Sequence, residues 1–212
     1  MIPKSHPRYT SLKIREKIVD GVKKGITSQH GLIAHGRGEA FDYIIGEKTT
    51  AKAKKAIEKS AKLLLKAKHP VISVNGNTAA LVPREIVELS GASGAKIEVN
   101  IFHPSKKREI KIKKHLEKHG AKEVLLPQKS CRIKYLESNR KYVNKEGIYK
   151  ADVVFVPLED GDRTEALRKN GKKVIVVDLN PLSRSARKAD IVIIDNVVRA
   201  VPLLIKEVRK LK

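Results

Sequence analysis

The sequence predicts an α/β fold, a three-layer α/β/α arrangement around a mainly parallel sheet, and three observations carry that expectation. Nearly continuous apolar runs stand at Asp152–Pro157, Lys173–Asp178 and Ile191–Ile194, with a shorter one at Val71–Val74, and strands covered on both faces read this way. Segments with the 3.6-residue apolar period of helices separate them. The 41% hydrophobic content of 212 residues is enough for a sizeable core. Strands alternating with helices put helices on both faces of the sheet, in a Rossmann-like order. One domain is expected over residues 1–212, with an irregular excursion near 127–150.

In chain order, a first helix is expected from Thr10 or Ser11 to Gly25, with Leu12, Ile14, Ile18, Val19 and Val22 on one face. Arg15 falls in the middle of that face. A buried guanidinium pairs with a carboxylate, snorkels to the edge or meets an anionic ligand. The stretch Gly31–Gly46 follows, a glycine-rich loop after Leu-Ile-Ala that concentrates His35, Arg37, Glu39 and Asp42. Thr49 or Thr50 caps a long helix that ends before His69-Pro70. After Val71–Val74 come Asn75-Gly76-Asn77 and a helix from Thr78 to Leu89, interrupted or restarted at Pro83. Lys96–Ile101 is the second strand, Pro104–His119 a strongly basic helix, Glu123–Leu126 a third strand, and Asn196–Lys210 the last helix.

The 46 basic residues exceed the 23 acidic ones and leave a charge of +23, which brings polyanions to the fore. Lysines are spread over nearly every helix and aromatics make up 4%, so stacking platforms for single strands are thin. A small anionic substrate gains from the same field. The lone cysteine, Cys131, excludes an internal disulfide and reads as a bystander. No apolar run approaches the length of a membrane span, and a soluble cytoplasmic protein is expected.

Open α/β sheets bind ligands beyond the carboxyl ends of their strands, so the residues there carry the functional reading. Gly36 and Gly38 flank Arg37, so that its guanidinium and nearby N–H groups can address one anion. Asn75, Gly76 and Asn77 either contact a ligand or form an Asn-Gly turn. Glu159 and Asp160 are candidates for Mg²⁺ or an ammonium group. Asp162 has the spacing of a capping box with Glu165, and Arg163 follows it. Asp178 at a strand end suits ribose hydroxyls, and Arg184 with the following N–H groups suits phosphates. His115 and His119 have the spacing of a zinc pair but lack a third ligand, so no metal site is assigned.

Several stretches together resemble one family over essentially the whole chain. IPKSHPRY with the Arg15 helix, GLIAHGRGEAFDYIIGEKTT, HPVISVNGN, KEGIYKADVVFVPLEDGDRTEAL and VVDLNPLSRSARKADI closely resemble the archaeal phosphopantothenate synthetase, or 4-phosphopantoate–β-alanine ligase, family. The resemblance implies a homodimeric Rossmann-like enzyme of coenzyme A biosynthesis. It implies joining of 4-phosphopantoate to β-alanine with ATP and Mg²⁺, with release of AMP and pyrophosphate through an acyl-adenylate. It also implies nucleotide binding by Arg15, Arg37, Asp178, Leu179, Asn180, Arg184, Ser185, Asp195 and Asn196. Catalytic roles are expected of His35, Arg37, Glu159 and Asp160. Phosphopantoate or β-alanine contacts are expected of Gly36, Gly38, Asn75, Gly76, Asn77, Asp162 and Arg163. Two other readings stand beside this one: a basic nucleic-acid-binding protein, and an ATP-dependent kinase of a pantoate-like acid.

Overall fold

The computed structural model describes residues 2–158 and 160–212. A five-stranded parallel sheet forms the centre, built from β1 (Pro70–Val74), β2 (Lys96–Val99), β5 (Val153–Pro157), β6 (Lys173–Val177) and β7 (Ile191–Ile193). Their order is β2-β1-β5-β6-β7. Every residue of β1 and β5 is buried, because alternate side chains enter two different cores. On one face Ile72, Val74, Phe155, Ile175 and Val177 meet helices α3 (Ala51–Lys66), α5 (Pro83–Ser93) and α9 (Val197–Lys210). On the other, Val71, Val154, Val156, Val174 and Val176 meet α7 (Gly161–Lys169) and the segment leading into β5. Cys131 is buried in this second core.

Side-chain caps start several helices: Thr50 accepts from Ala53 N, Asn75 from Thr78 N, and Asn196 from Val198 N. Each such cap contributes on the order of 1 kcal/mol. No helix among the described residues is long and apolar enough to cross a membrane.

Three stretches differ from the sequence expectation. The glycine-rich segment is a helix, α2 (Gln29–Ile44), which follows α1 (Tyr9–Lys23). A glycine inside a helix costs about 1 kcal/mol relative to alanine, and at Gly31 a close approach explains it. A Cβ there would collide with the side chains of Asn77 and Thr27. The strand expected at Glu123–Leu126 reduces to a single parallel bridge between Glu98 and Leu125. The excursion, in turn, has structure of its own: β3 (Gln128–Arg132) pairs antiparallel with β4 (Tyr142–Val143). An irregular helical turn at Lys145–Tyr149 follows.

Strand β2 holds this excursion in place through two residues spaced to share a face. Asn100, just past its end, donates through Nδ2 to the carbonyls of Arg140 and Tyr142 at 3.2 and 3.0 Å. The fully buried carboxylate of Glu98 accepts from the N–H groups of Asn144 and Ile148 at 2.9 and 2.6 Å. Gly147 is required beside it, since a Cβ would overlap the Glu98 carboxylate. Desolvation pushes the Glu98 pKa up to about 7 against these donors and the nearby Arg163 and Lys172.

A raised carboxyl pKa means that the folded state binds the extra proton. The Glu98 contribution is therefore present below its unfolded value of 4.5 and is lost as pH rises through about 7. The difference in unfolding free energy between the native chain and Glu98→Gln should fall by about 3 kcal/mol from pH 4 to pH 8. Urea denaturation at both pH values measures it, and a pH-independent difference contradicts the assignment.

Candidate active site

The strand order reverses at β1. From β1 the chain passes to β2 on one side and then, through helix α6 (Lys106–Lys118) and the excursion, to β5 on the other. Such a switch point opens a crevice beyond the carboxyl ends of the strands. A cavity of about 340 Å³ lies there, with α2 as one wall. Asn75, Gly76 and Asn77 after β1, and Leu158 and Asp160 after β5, form its floor. Leu179 after β6 and Asn196 after β7 close one end, and Ile101, Phe102 and His103 after β2 close the other.

The floor is laced by side-chain amides. Asn75 Nδ2 donates to Leu158 O at 2.8 Å, and its Oδ1 accepts from Thr78 N at 2.9 Å and Thr78 Oγ1 at 3.1 Å. Asn75 thus fixes β1 to β5 and caps α4 (Gly76–Leu81). Asn77 donates to Gly31 O at 2.9 Å and accepts from Thr27 Oγ1 at 2.6 Å, which sets the start of α2 over the floor.

Helix α2 lays His30, Gly31, Ala34, His35, Arg37 and Gly38 along the cavity. Its two buried side chains are both acidic, Glu39 and Asp42. Glu39 accepts from Arg15 Nε at 2.9 and 2.8 Å and from the Tyr43 hydroxyl at 2.7 Å. Burial works against the Glu39 charge, but Arg15 and Tyr43 together hold its carboxyl below the usual range. Asp42 accepts from Arg199 Nη2 at 2.5 Å and from Asn196 Nδ2 at 2.7 Å. Arg199 also donates through Nε to the fully buried Asp195 at 2.8 Å, and Thr49 donates to Asp195 at 2.6 Å. Burial opposes the Arg199 charge, and the bonds to Asp42 and Asp195 outweigh it and raise its pKa.

His35 is half-buried, its Nε2 has no hydrogen-bond partner among the described residues, and burial lowers its pKa. Arg37 is exposed and lies close enough to Asp178 to oppose the upward shift that burial gives that carboxyl. Asp178 itself organises the loop after β6. It accepts from Ser183 Oγ at 2.5 Å and Asn180 N at 3.0 Å, and Ser183 caps the short helix α8 (Arg184–Lys188).

Of the residues singled out from the sequence, the structure brings His35, Arg37, Gly38, Asn75, Gly76, Asn77, Asp160, Leu179 and Asn196 to one cavity. Asp178, Asn180 and Asp195 stand directly beside the lining residues Leu179 and Asn196 in the chain. Gly36 lies off the cavity face of α2, and Ser185 is buried in α8. Arg184 pairs with Glu165 at 3.2 Å. Asp162 occupies the first turn of α7, and the fully buried Arg163 donates to Ser73 Oγ at 3.1 Å. Arg15 pairs with Glu39 rather than lining the cavity, and its side chain is 44% exposed. Glu159 lies outside the described residues. His115 and His119 meet edge-on, ring centroids 4.5 Å apart, away from the cavity, and no group of three or more metal-ligating side chains occurs among the described residues.

Sequence reasoning missed Arg140, Arg108, His30 and His103, all of which line the cavity. Arg140 is 3% exposed; its Nε donates to Asn100 Oδ1 at 2.9 Å and its Nη1 to Asp160 Oδ2 at 3.0 Å. The charge-rich, aperiodic run that carries Arg140 gave no signal that one of its arginines is buried.

The family model described as phosphopantothenate/pantothenate synthetase matches residues 52–212. A 4-phosphopantoate–β-alanine ligase of Thermococcus kodakarensis is 56% identical over 212 residues, 100% of this chain and 81% of that protein. The ligase of the same name from Methanosarcina mazei is 51% identical over 211 residues, 100% of this chain and 83% of that protein.

Asp42→Ala removes the carboxylate that joins α2 to Arg199 and Asn196. Asp195 still faces the guanidinium, so the expected loss is about 2–3 kcal/mol rather than the full cost of an orphaned buried charge. Urea unfolding checks this, and a loss below about 0.5 kcal/mol contradicts the role given to the pair.

Proposed function

This chain belongs to the phosphopantothenate/pantothenate synthetase family, and from that premise we propose that it is an ATP-dependent ligase of coenzyme A biosynthesis that condenses 4-phosphopantoate with β-alanine. The observation that supports this reading best is the switch-point cavity. Arg37, Arg108 and Arg140 line it, and Asp160, already paired with Arg140, is the one carboxylate among its described lining residues. Such a field suits two anionic substrates at once.

The chemistry follows from the reactants. The 4-phosphopantoate carboxylate attacks the α-phosphorus of ATP and pyrophosphate leaves, forming an acyl-adenylate. The β-alanine amine then attacks the acyl carbon and AMP leaves with the electron pair of the broken C–O bond. Arg37 neutralises charge developing on the phosphates. Arg15, whose Nη groups make no hydrogen bond among the described residues, joins it in holding the nucleotide. The loop carrying Asp178, Leu179 and Asn180, the start of α8 with Arg184 and Ser185, and Asp195 and Asn196 hold the rest of the nucleotide. Asn75, Gly76 and Asn77 shape the floor under the phosphopantoate. His35 is kept neutral by burial and has an unpartnered Nε2, which equips it to take the proton that β-alanine must lose.

The Asp160 carboxylate that lines the cavity fits Mg²⁺ in the manner common for nucleotide enzymes, with few carboxylates and most of the shell from phosphate and water. Asp160 and Glu159 are the residues that would hold it. When bound it supplies charge neutralisation to the polyphosphate.

A homodimer belongs to the same proposal. The face of α2 turned away from the cavity exposes Ile33 (68%), Ile44 (78%), Tyr43 (41%) and Leu32 (37%). A second copy covering this face would bury the apolar stripe of the helix that walls the site.

Incubation with ATP, Mg²⁺, 4-phosphopantoate and β-alanine should yield AMP and the amide; ADP in place of AMP would favour the kinase reading. In this assay Arg37→Ala should lower kcat/KM by about 100-fold with the fold intact. His35→Ala should slow amide formation by about 100-fold while pyrophosphate release continues. Near-native AMP production by the arginine variant refutes the role of Arg37. Light scattering should report a dimer that Ile44→Glu converts to monomer, and a monomeric native chain rules the dimer out.

A further inference from the structure

The cavity has two chemically different ends. His30 and Gly38 stand eight residues apart on the same wall, about 12 Å along a helix. At the Gly38 end the wall faces the loops after β6 and β7: a Cβ on Gly38 would sit 3.4 Å from Leu179 Cδ1, and Asp42 bonds to Asn196. These are the loops assigned to the nucleotide. At the His30 end the wall faces the loop after β2. The His30 and His103 rings lie 4.5 Å apart at 35°, and Phe102 meets His103 edge-on at 5.0 Å. Arg108 reaches in from α6 and donates through Nη1 to His103 O at 3.5 Å.

No function assigned so far uses the His30–His103–Arg108 group. Two imidazoles and a guanidinium converge there on the cavity, and none of them makes an ion pair among the described residues. A weak contact to a carbonyl leaves most of the five guanidinium donors of Arg108 available, and a planar fork of donors suits phosphate. A phosphate monoester carries close to two negative charges at neutral pH and three strong acceptor oxygens.

Resting on the ligase reading, we propose that His30, His103 and Arg108 form the subsite for the terminal phosphate of 4-phosphopantoate, and that this subsite sets the preference for the phosphorylated acid. The dimensions agree. Five single bonds separate the phosphorus from the carboxyl carbon, about 6 Å when extended. With its phosphate at the His30 end, the acid reaches half-way along the wall and presents its carboxylate to the α-phosphate of a nucleotide entering from the other end. Ile101 and Leu81 line the cavity and offer the branched carbon chain an apolar contact. The two polyanions then occupy separate cationic wells, which keeps their like charges apart.

The test uses the full chain and the variants Arg108→Ala and His103→Gln, with Lys107→Ala, an exposed neighbour on α6 that does not line the cavity, as control. The KM for 4-phosphopantoate should rise about 30- to 100-fold in the first two variants, while the KM for ATP changes less than about threefold. Unphosphorylated pantoate, used as a competitor, should inhibit all forms alike. A 4-phosphopantoate KM within threefold of the native value, or a parallel rise in the KM for ATP, overturns the assignment. Calorimetric titration with 4-phosphopantoate alone separates the two layers of the reading. Binding that Arg108→Ala abolishes, in a chain that makes no amide, leaves the subsite standing and removes the ligase; amide synthesis with unaltered binding in Arg108→Ala does the reverse.

Discussion

Helix α2 is fastened by charge rather than by apolar packing, and the architecture of the cavity follows from that. Its buried side chains are Glu39 and Asp42, paired with Arg15 from α1 and Arg199 from α9. Replacing an ion pair by apolar residues often costs nothing, so such pairs are weak arguments for stability and better ones for orientation. Here two pairs one helical turn apart, on the same face of α2 but reaching two different helices, fix the rotation of α2 about its own axis. One consequence is that His35 and Arg37 face or rim the cavity. Another is that Ile33 and Ile44 are turned outward and left exposed.

The floor depends on a different device. Parallel sheets open a crevice where strand order reverses, and in this chain the gap between β1 and β5 is closed by the Asn75 amide rather than by bulk. The excursion from β2 to β5 then brings an arginine into that crevice from a segment with little regular structure. Glu98 and Asn100 make this possible by offering the excursion side-chain partners where a further strand would have offered backbone. A buried carboxylate with a pKa near 7 is the result. Loop geometry that would otherwise be soft is thereby pinned to the most rigid part of the sheet.

The sheet was legible in the sequence because parallel strands buried on both faces leave continuous apolar runs, as at Val153–Pro157. Asn75 was legible for the same reason, since topology directs attention to the residues after each strand, whereas Leu179 and Asn196 were legible through the family resemblance; all three line the cavity. Helix α2 was not, since three glycines and a low apolar contrast hide a helix whose buried face is acidic. Arg140 and the His30–His103 pair were illegible for another reason. Their meaning lies in contacts across long stretches of chain, Arg140 to Asn100 and His30 to His103, and no local period encodes those. Arg15 shows the limit from the other side. Its place on an apolar face signalled a partner, and the structure supplies Glu39.

The central claim is that the switch-point cavity is polarised, with nucleotide at the β6–β7 end and the phosphorylated acid at the β2 end. A structure of the protein with a non-hydrolysable analogue of the phosphopantoyl adenylate tests it most directly. The account predicts the adenosine beside Leu179 and Asn196, the central phosphate near Arg37, and the distal phosphate within hydrogen-bond distance of Arg108. An analogue bound in the reverse direction, or outside the cavity walled by α2, would contradict it.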